Sequence, residues 1–341
     1  MGELARAPHE AMLYRKAEEG AVDCFLCAHR CHIPPGKRGL CRVRENRGGT
    51  LCSLVYGMLI AAHVDPIEKK PLYHFLPGTE SFSIATAGCN FQCDFCQNWQ
   101  ISQAARAREI PGQYATPEEI VAAAQRAECP SISYTYTEPT IYFEYARDCA
   151  RLAKEKGLRN IFVTNGYMTA ETVEQMTGLI DAANVDLKAF TETFYHERCK
   201  GKLAPVCESI RRMQEARIHV EVTTLLIPGF NDDETQLREL AEFLAGVSRD
   251  IPWHVSRYHP DYQFDQAPPT PVSSIARAIE TGRKAGLRYV YAGNVPGASC
   301  EDTHCPNCSA TLIEREGFIA RVLGLAGGAC QKCGVKLPIV Q

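Results

Sequence analysis

At 341 residues, with 45% hydrophobic and 23% charged side chains, the chain has globular composition and room for one large domain of ~250 residues with smaller appendages. Its 37 basic and 40 acidic side chains give a formal net charge of −3, which excludes a global field for nucleic acid. No apolar run is long enough to span a bilayer, and the opening MGELARAPHEAMLYRKAEEG has no apolar signal-peptide core, so a cytoplasmic protein without a membrane partner is expected.

The 17 cysteines are the anomaly, because a reducing cytosol does not support so many thiols as a disulfide framework. The first group, CFLCAHRCHIPPGKRGLC, sets Cys24, Cys27, Cys31 and Cys41 among His29 and His32, with a Pro34-Pro35-Gly36 turn before the last. Four sulfurs can hold zinc or an iron–sulfur cluster, and the spacing matches neither a simple pair of zinc knuckles nor the common ferredoxin run. Residues 1–75 are taken as this Cys-rich metal-binding segment. Cys52, Cys129, Cys149, Cys199 and Cys207 stand apart and are expected to be small buried hydrophobes.

From residue 76 to 298 apolar strand-like runs alternate with amphipathic helical ones. FSIATAG, SISYTYTEP, NIFVTNG, ANVDLKA, HVEVTTLLIPG, WHVSRYHP and YVYAGN are rich in β-branched and aromatic residues. Between them TPEEIVAAAQRAE, IYFEYARDCARLAKEKG, TAETVEQMTGLI, PVCESIRRMQEA and DETQLRELAEFLAGV carry helical periodicity. Thr116 and Asn231 are the expected helix N-caps. Such a βα repeat predicts an α/β fold with a parallel sheet, a partial or full (β/α) barrel. Reactive groups in that fold collect at the C-terminal strand ends, here Thr137-Glu138, Thr164-Asn165, Asp186 with Lys188, Thr223-Thr224 and Tyr258-His259.

Directly after the first of these strands comes TAGCNFQCDFCQNWQISQ, with Cys89, Cys93 and Cys96 spaced C-x3-C-x2-C and no fourth thiol. Structural zinc sites and electron-transfer clusters use four protein ligands, so three thiolates on one loop leave a metal position open for chemistry. A zinc loop borrowing a distant fourth ligand is the other reading. At the C-terminal end, residues 299–341 carry CPNC and CQKC, giving Cys305, Cys308, Cys330 and Cys333 with Gly324, Gly327, Gly328 and Gly334 for turns. Two knuckles of this kind form a zinc-ribbon or rubredoxin-like site, zinc being the expected ion ahead of a single iron. Cys300 and His304, just upstream, are alternative ligands.

The triplet, with Phe95 before its last cysteine and its place after a strand, resembles the signature of the radical S-adenosylmethionine (SAM) superfamily. The resemblance implies a [4Fe-4S] cluster on Cys89, Cys93 and Cys96, with SAM on the remaining iron. It also implies reductive cleavage to a 5′-deoxyadenosyl radical and hydrogen abstraction from a substrate. YTEPT, VTNG, VDLK, IPGFND and SRYHP resemble motifs of the branch containing the pyruvate formate-lyase activating enzyme. By that likeness Glu138 and Thr137, Thr164 and Asn165, Asp186 and Lys188, and His259 are cofactor-binding, with Asp186 and Lys188 also at the reacting centre. Taken singly, each could equally be a satisfied polar group at a strand end.

The N-terminal C-x2-C-x3-C-x9-C segment, the barrel, YAGNVPG and the CPNC…CQKC tail together look like the radical SAM member of the AmmeMemoRadiSam system. That implies Memo-like and AMMECR-type partner proteins, an electron donor such as flavodoxin or ferredoxin, and a small-molecule or peptide substrate. Two other functions stay open: activation of a glycyl-radical enzyme, and a non-catalytic zinc-rich interaction scaffold. Against the first, Thr223-Thr224 stands where an activase is expected to carry a basic residue for its peptide.

Overall fold

A computed structural model describes residues 9–107, 109–295 and 301–341. All seven apolar runs form strands, and all seven run parallel: β2 (Glu80–Thr86), β4 (Ser131–Tyr134), β5 (Arg159–Thr164), β6 (Ala182–Asp186), β7 (His219–Leu226), β8 (Trp253–Arg257) and β9 (Val290–Gly293). Two further strands, β1 (Met58–Pro66) and β3 (Gln113–Tyr114), add antiparallel to the β2 edge, giving the order β9-β8-β7-β6-β5-β4-β2-β1-β3. The two ends of this order are not hydrogen-bonded to each other, so the sheet is an open, partial barrel.

The five expected helices form α1 (Pro117–Arg126), α2 (Phe143–Glu155), α3 (Ala170–Met176), α4 (Leu203–Glu215) and α5 (Glu234–Val247), followed by α6 (Val272–Lys284). Thr116 caps α1 in a reciprocal capping box with Glu119. The expected cap Asn231 is corrected to Asp233, whose carboxylate accepts the Gln236 amide at the start of α5. Asn231 is buried instead and ties its loop together, accepting the Ile227 N–H and donating to the carbonyls of Lys188 and Leu225.

The stretch assigned to a separate N-terminal segment is joined to the sheet. Its strand β1 pairs along most of β2, and Val22, Leu51 and Val55 share one core with Ile84, Phe162, Val185 and Trp253. Each such side chain contributes about 1.5–3 kcal/mol of burial, so the two parts stabilise one another. The C-terminal segment differs, because Leu312, Ile313, Leu325 and Cys330 form a small core of their own. It is anchored to the barrel by backbone bonds between Val340 and the loop at His74 and Leu76 (both 2.8 Å). A second anchor is Arg315, buried over the Tyr73 ring and bonded to the Tyr73 carbonyl (2.7 Å).

Candidate active site

Two residues after β2 comes Gly88, whose positive-φ backbone brings it so close to Val43 and Ile141 that a Cβ would sit 2.9 and 3.0 Å from their side chains. Only glycine fits there, and it delivers Cys89 to the end of the strand. The following loop is pinned from outside: the amides of Gln92 and Asp94 donate to the carbonyls of Cys199 and Arg198.

All three loop cysteines line one cavity of about 920 Å³. The Phe91 amide donates to Cys89 Sγ (3.3 Å), and the Ser102 hydroxyl lies 3.3 Å from Cys96 Sγ. Burial, then the charge of Glu138, pushes the Cys89 thiol well up. Cys93 is held down chiefly by a hydrogen bond with Cys199, a thiol that the sequence alone leaves among the unassigned ones.

The same cavity takes in Thr137, Glu138, Thr164, Asn165, Asp186 and Lys188. Glu138 is buried at the end of β4's loop. Its Oε1 accepts from the Thr140 amide (3.0 Å), the Thr140 hydroxyl (2.5 Å) and the Thr164 hydroxyl (2.7 Å); Oε2 accepts from the Asn165 amide (2.8 Å). Burial raises its pKa and those four donors oppose the rise. Asn165 in turn donates to Asn90 Oδ1 (2.7 Å), coupling the β5 end to the cysteine loop. Thr137 donates to the Thr86 carbonyl (2.8 Å), fixing the loop after β4 to the end of β2.

Lys188 Nζ donates to Asp186 Oδ2 (2.9 Å) and lies over the Phe95 ring. Burial works against its charge, but Asp186 with the Cys93 and Cys199 sulfurs outweighs burial and keeps the ammonium charged. His259 is set apart from this group. It is exposed and not among the residues lining the cavity, because the chain leaves β8 at Tyr258, whose buried hydroxyl is fixed to the Phe264 carbonyl (2.6 Å) while His259 turns outward.

The far end of the cavity holds groups that sequence reasoning missed. Glu68, Lys70 and Tyr73 rise from the loop after β1, and Glu301, Glu316, Gly317 and Phe318 come from the C-terminal segment. Glu68 is buried, and one of its carboxylate oxygens has no hydrogen-bond partner. Lys70 Nζ is bonded to Asp65 (2.6 Å), yet burial dominates and brings its pKa down to about 8. His254 also faces the cavity and is bonded to Glu221 Oε2 (2.7 Å). Glu221 is fully buried and receives the amides of Tyr73 and His74 as well. A signal for Glu221 was present: in HVEVTT it is two residues before Thr223, so both lie on the inward face of one strand.

Among the described residues, one group of three or more thiol, imidazole or carboxylate ligand atoms lies within 4.8 Å of one another: Cys305, Cys308, Cys330 and Cys333. Its sulfurs stand 3.6 Å (Cys305 to Cys333) and 3.7 Å (Cys308 to Cys330) apart. A tetrahedral zinc with bonds of about 2.3 Å separates its sulfurs by about 3.8 Å, so the four thiols fit a single ion. His304 stands outside this group, its Nδ1 3.4 Å from the Thr311 hydroxyl. Cys300 and the Pro296-Gly297 part of YAGNVPG lie outside the described residues.

An open parallel βα sheet with a three-cysteine loop at its first strand end, facing a cavity rimmed by polar strand ends, defines the radical SAM class. The family model for the Radical SAM superfamily matches residues 83–244, and the chain belongs to that superfamily. Among its relatives is the Methanocaldococcus jannaschii "Uncharacterized protein MJ0808", 45% identical over 334 residues, covering 97% of this chain and 99% of that one. The "Putative glycyl-radical enzyme activating enzyme MJ1632" of the same organism is 25% identical over 187 residues, covering 53% of this chain and 68% of its own. In fold, a radical SAM methyltransferase from Sphaerobacter thermophilus superposes with a TM-score of 0.50 at 20% identity, covering 64% of this chain and 67% of that one. The family implies SAM and a [4Fe-4S] cluster, and no helix among the described residues is long and apolar enough to cross a membrane.

Proposed function

We propose that the protein reductively cleaves SAM at a [4Fe-4S] cluster held by Cys89, Cys93 and Cys96, and abstracts a hydrogen atom from a substrate lodged deeper in the same cavity. When bound, the cluster and SAM supply a 5′-deoxyadenosyl radical, and the protein's part is to hold, orient and shield. The observation that carries this reading is the convergence of three thiols and six polar strand-end residues on one cavity of about 920 Å³, large enough for SAM and a second molecule.

In this reading Glu138 receives the SAM amino group on Oε2, which has only one protein donor. Thr137, Thr164 and Asn165 fix that carboxylate and the rim around it. Asp186 and Lys188, paired beside Phe95, orient the methionyl end and the reacting centre. The substrate faces Lys70, His254 and the C-terminal residues Glu316 and Phe318. Zinc on Cys305, Cys308, Cys330 and Cys333 holds the segment that carries those last two residues. The electron comes from flavodoxin or ferredoxin in the cytoplasm, and Memo-like and AMMECR-type proteins are the proposed partners.

The test is anaerobic reconstitution with iron and sulfide, then reduction in the presence of SAM. 5′-Deoxyadenosine is the expected product; its absence from a protein carrying a full cluster would sink the proposal. The printed name of the relative MJ1632 favours a second reading, activation of a glycyl-radical enzyme. That reading expects a glycyl electron paramagnetic resonance (EPR) signal in a partner protein. It has to do without a basic residue at Thr223, which lines the cavity where a peptide would lie.

A further inference from the structure

Cys24, Cys27, Cys31 and Cys41 take no part in the site above, yet they lie beside it. The Cys24 amide donates to the Cys31 carbonyl (2.9 Å) and the Arg30 amide to the Cys27 carbonyl (3.0 Å), so the first three thiols share one turn of chain. The isolated thiols Cys52 and Cys129 are used otherwise, donating to the carbonyls of Thr50 and Ala127, two residues before each.

Spacing separates a single ion from a cluster. No three of these sulfurs lie within 4.8 Å of one another, unlike the C-terminal four and like Cys89, Cys93 and Cys96. They remain in one neighbourhood, Cys31 Sγ lying 3.8 Å from the Cβ position of Gly39, two residues before Cys41. A multi-iron cluster, in which each thiolate bonds a different iron, spreads its sulfurs in this way.

A second observation points to an anion in the middle of the group. Arg44 is 1% exposed, its Nη2 is used by Glu144 (2.5 Å) and the Met12 carbonyl (2.6 Å), and its Nε and Nη1 have no partner. Cys24, Cys27 and Cys41 all act on its charge. Buried guanidinium nitrogens without partners are costly, and a cluster whose sulfides and thiolates carry net negative charge would satisfy them. A zinc tetrathiolate carries a net charge of the same sign, so Arg44 marks an anionic centre here and the spacing of the sulfurs makes the choice of a cluster.

The group also touches the radical site. His29, between Cys27 and Cys31, donates from Nε2 to the Asn90 carbonyl (2.8 Å), the residue next to Cys89, and its ring packs on Tyr167. Cys27 itself forms a β-bridge with Met168, and the Ala28 amide donates to the Tyr167 carbonyl (3.3 Å).

We propose that Cys24, Cys27, Cys31 and Cys41 hold a second iron–sulfur cluster, which relays electrons across the His29–Asn90 contact to the site on Cys89, Cys93 and Cys96. The cluster assignment stands on its own, while the relay rests on the radical SAM reading above. One electron enters from a reduced flavodoxin-type donor, passes between the two sites, and is consumed in breaking the sulfonium bond, so neither site changes over a turnover.

The test uses the full chain, reconstituted anaerobically. A Cys89→Ala/Cys93→Ala/Cys96→Ala variant should retain about four irons and four sulfides per chain and a reduced-cluster EPR signal, against about eight of each in the wild type. A Cys27→Ala/Cys41→Ala variant should lose the same amount and keep the signal that responds to SAM. With flavodoxin as donor its 5′-deoxyadenosine rate should fall at least about tenfold, while with dithionite it stays within about twofold of wild type. Wild-type protein needs no mutation to decide the first claim: two zinc ions per chain and about four irons would overturn the second cluster. Equal losses with both reductants would overturn the relay.

Discussion

The C-terminal thiol site and the triplet site gather cysteines toward different ends. Around Cys305, Cys308, Cys330 and Cys333 the sulfurs are gathered to the spacing of a single ion, behind which Leu312, Ile313 and Leu325 form a core of their own. Around Cys89, Cys93 and Cys96 there is no fourth thiol on the loop; the sulfurs are farther apart and look into a cavity. In the triplet the Phe91 amide, two residues on, is turned toward Cys89 Sγ. What differs is enclosure: a closed set of ligands holds a fold together, whereas an open one next to a cavity leaves a coordination position for a reactant.

Four substitutions or conditions sharpen that contrast. Cys93→Ala should abolish 5′-deoxyadenosine formation, a loss of about a thousandfold or more, and leave the C-terminal metal in place by metal analysis. Loss of both would mean that the two sites are not independent. Next, Glu138→Gln removes the charge offered to the SAM amino group. Losing one charge-assisted hydrogen bond of about 1.5–3 kcal/mol should raise KM for SAM about ten- to hundredfold, with a smaller change in kcat. A change in kcat alone would argue against Glu138 as the SAM anchor.

Arg315→Met tests whether the C-terminal segment is held to the barrel as a rigid wall. It removes bonds to the Tyr73 carbonyl, the Thr303 hydroxyl and the Glu301 carbonyl, and leaves buried Glu68 without the guanidinium 3.9 Å away. The expected cost is about 2–4 kcal/mol, read as faster amide exchange over Thr311–Glu316 and Ile319–Val322 with the metal retained. The smallest effect, taken per pH unit, is on the buried His74, bonded to the Tyr291 hydroxyl. Burial brings its pKa down to about 3 from 6.5. Below 6.5 the unfolded chain binds a proton that the native state refuses, so stability should fall as pH drops toward about 3, by at most about 1.4 kcal/mol per unit. His74→Gln should flatten that limb of a denaturation series, and metal content should not change.

The parallel strands were legible because runs such as NIFVTNG and HVEVTTLLIPG are β-branched and bounded by glycine. The polar residues at their ends were legible for the same reason, since a strand's last residues face the cavity wherever the chain turns. β1 was not, because MLIAAHVDP is half exposed and its alanines carry no period. His259 was misplaced because position after a strand fixes where the backbone ends, not which way it then turns. The cavity wall formed by Glu68, Tyr73, Glu316 and Phe318 joins residues some 240 positions apart, and nothing local in either stretch announces the meeting. Asp233 and Asn231 are both good caps by type, and the difference between them was decided by the buried carbonyls of Lys188 and Leu225.

The backbone bonds between Val340 and the loop at His74 and Leu76 give the molecule an order of assembly. Emerging from the ribosome, the seven parallel strands from Glu80 to Gly293 can pair one after another, each beside the parallel strand before it. The cavity floor cannot, since one half waits for a segment made more than two hundred residues later. Until that last stretch has docked, the cavity that Cys89, Cys93 and Cys96 line lacks the wall formed by Glu301, Glu316 and Phe318.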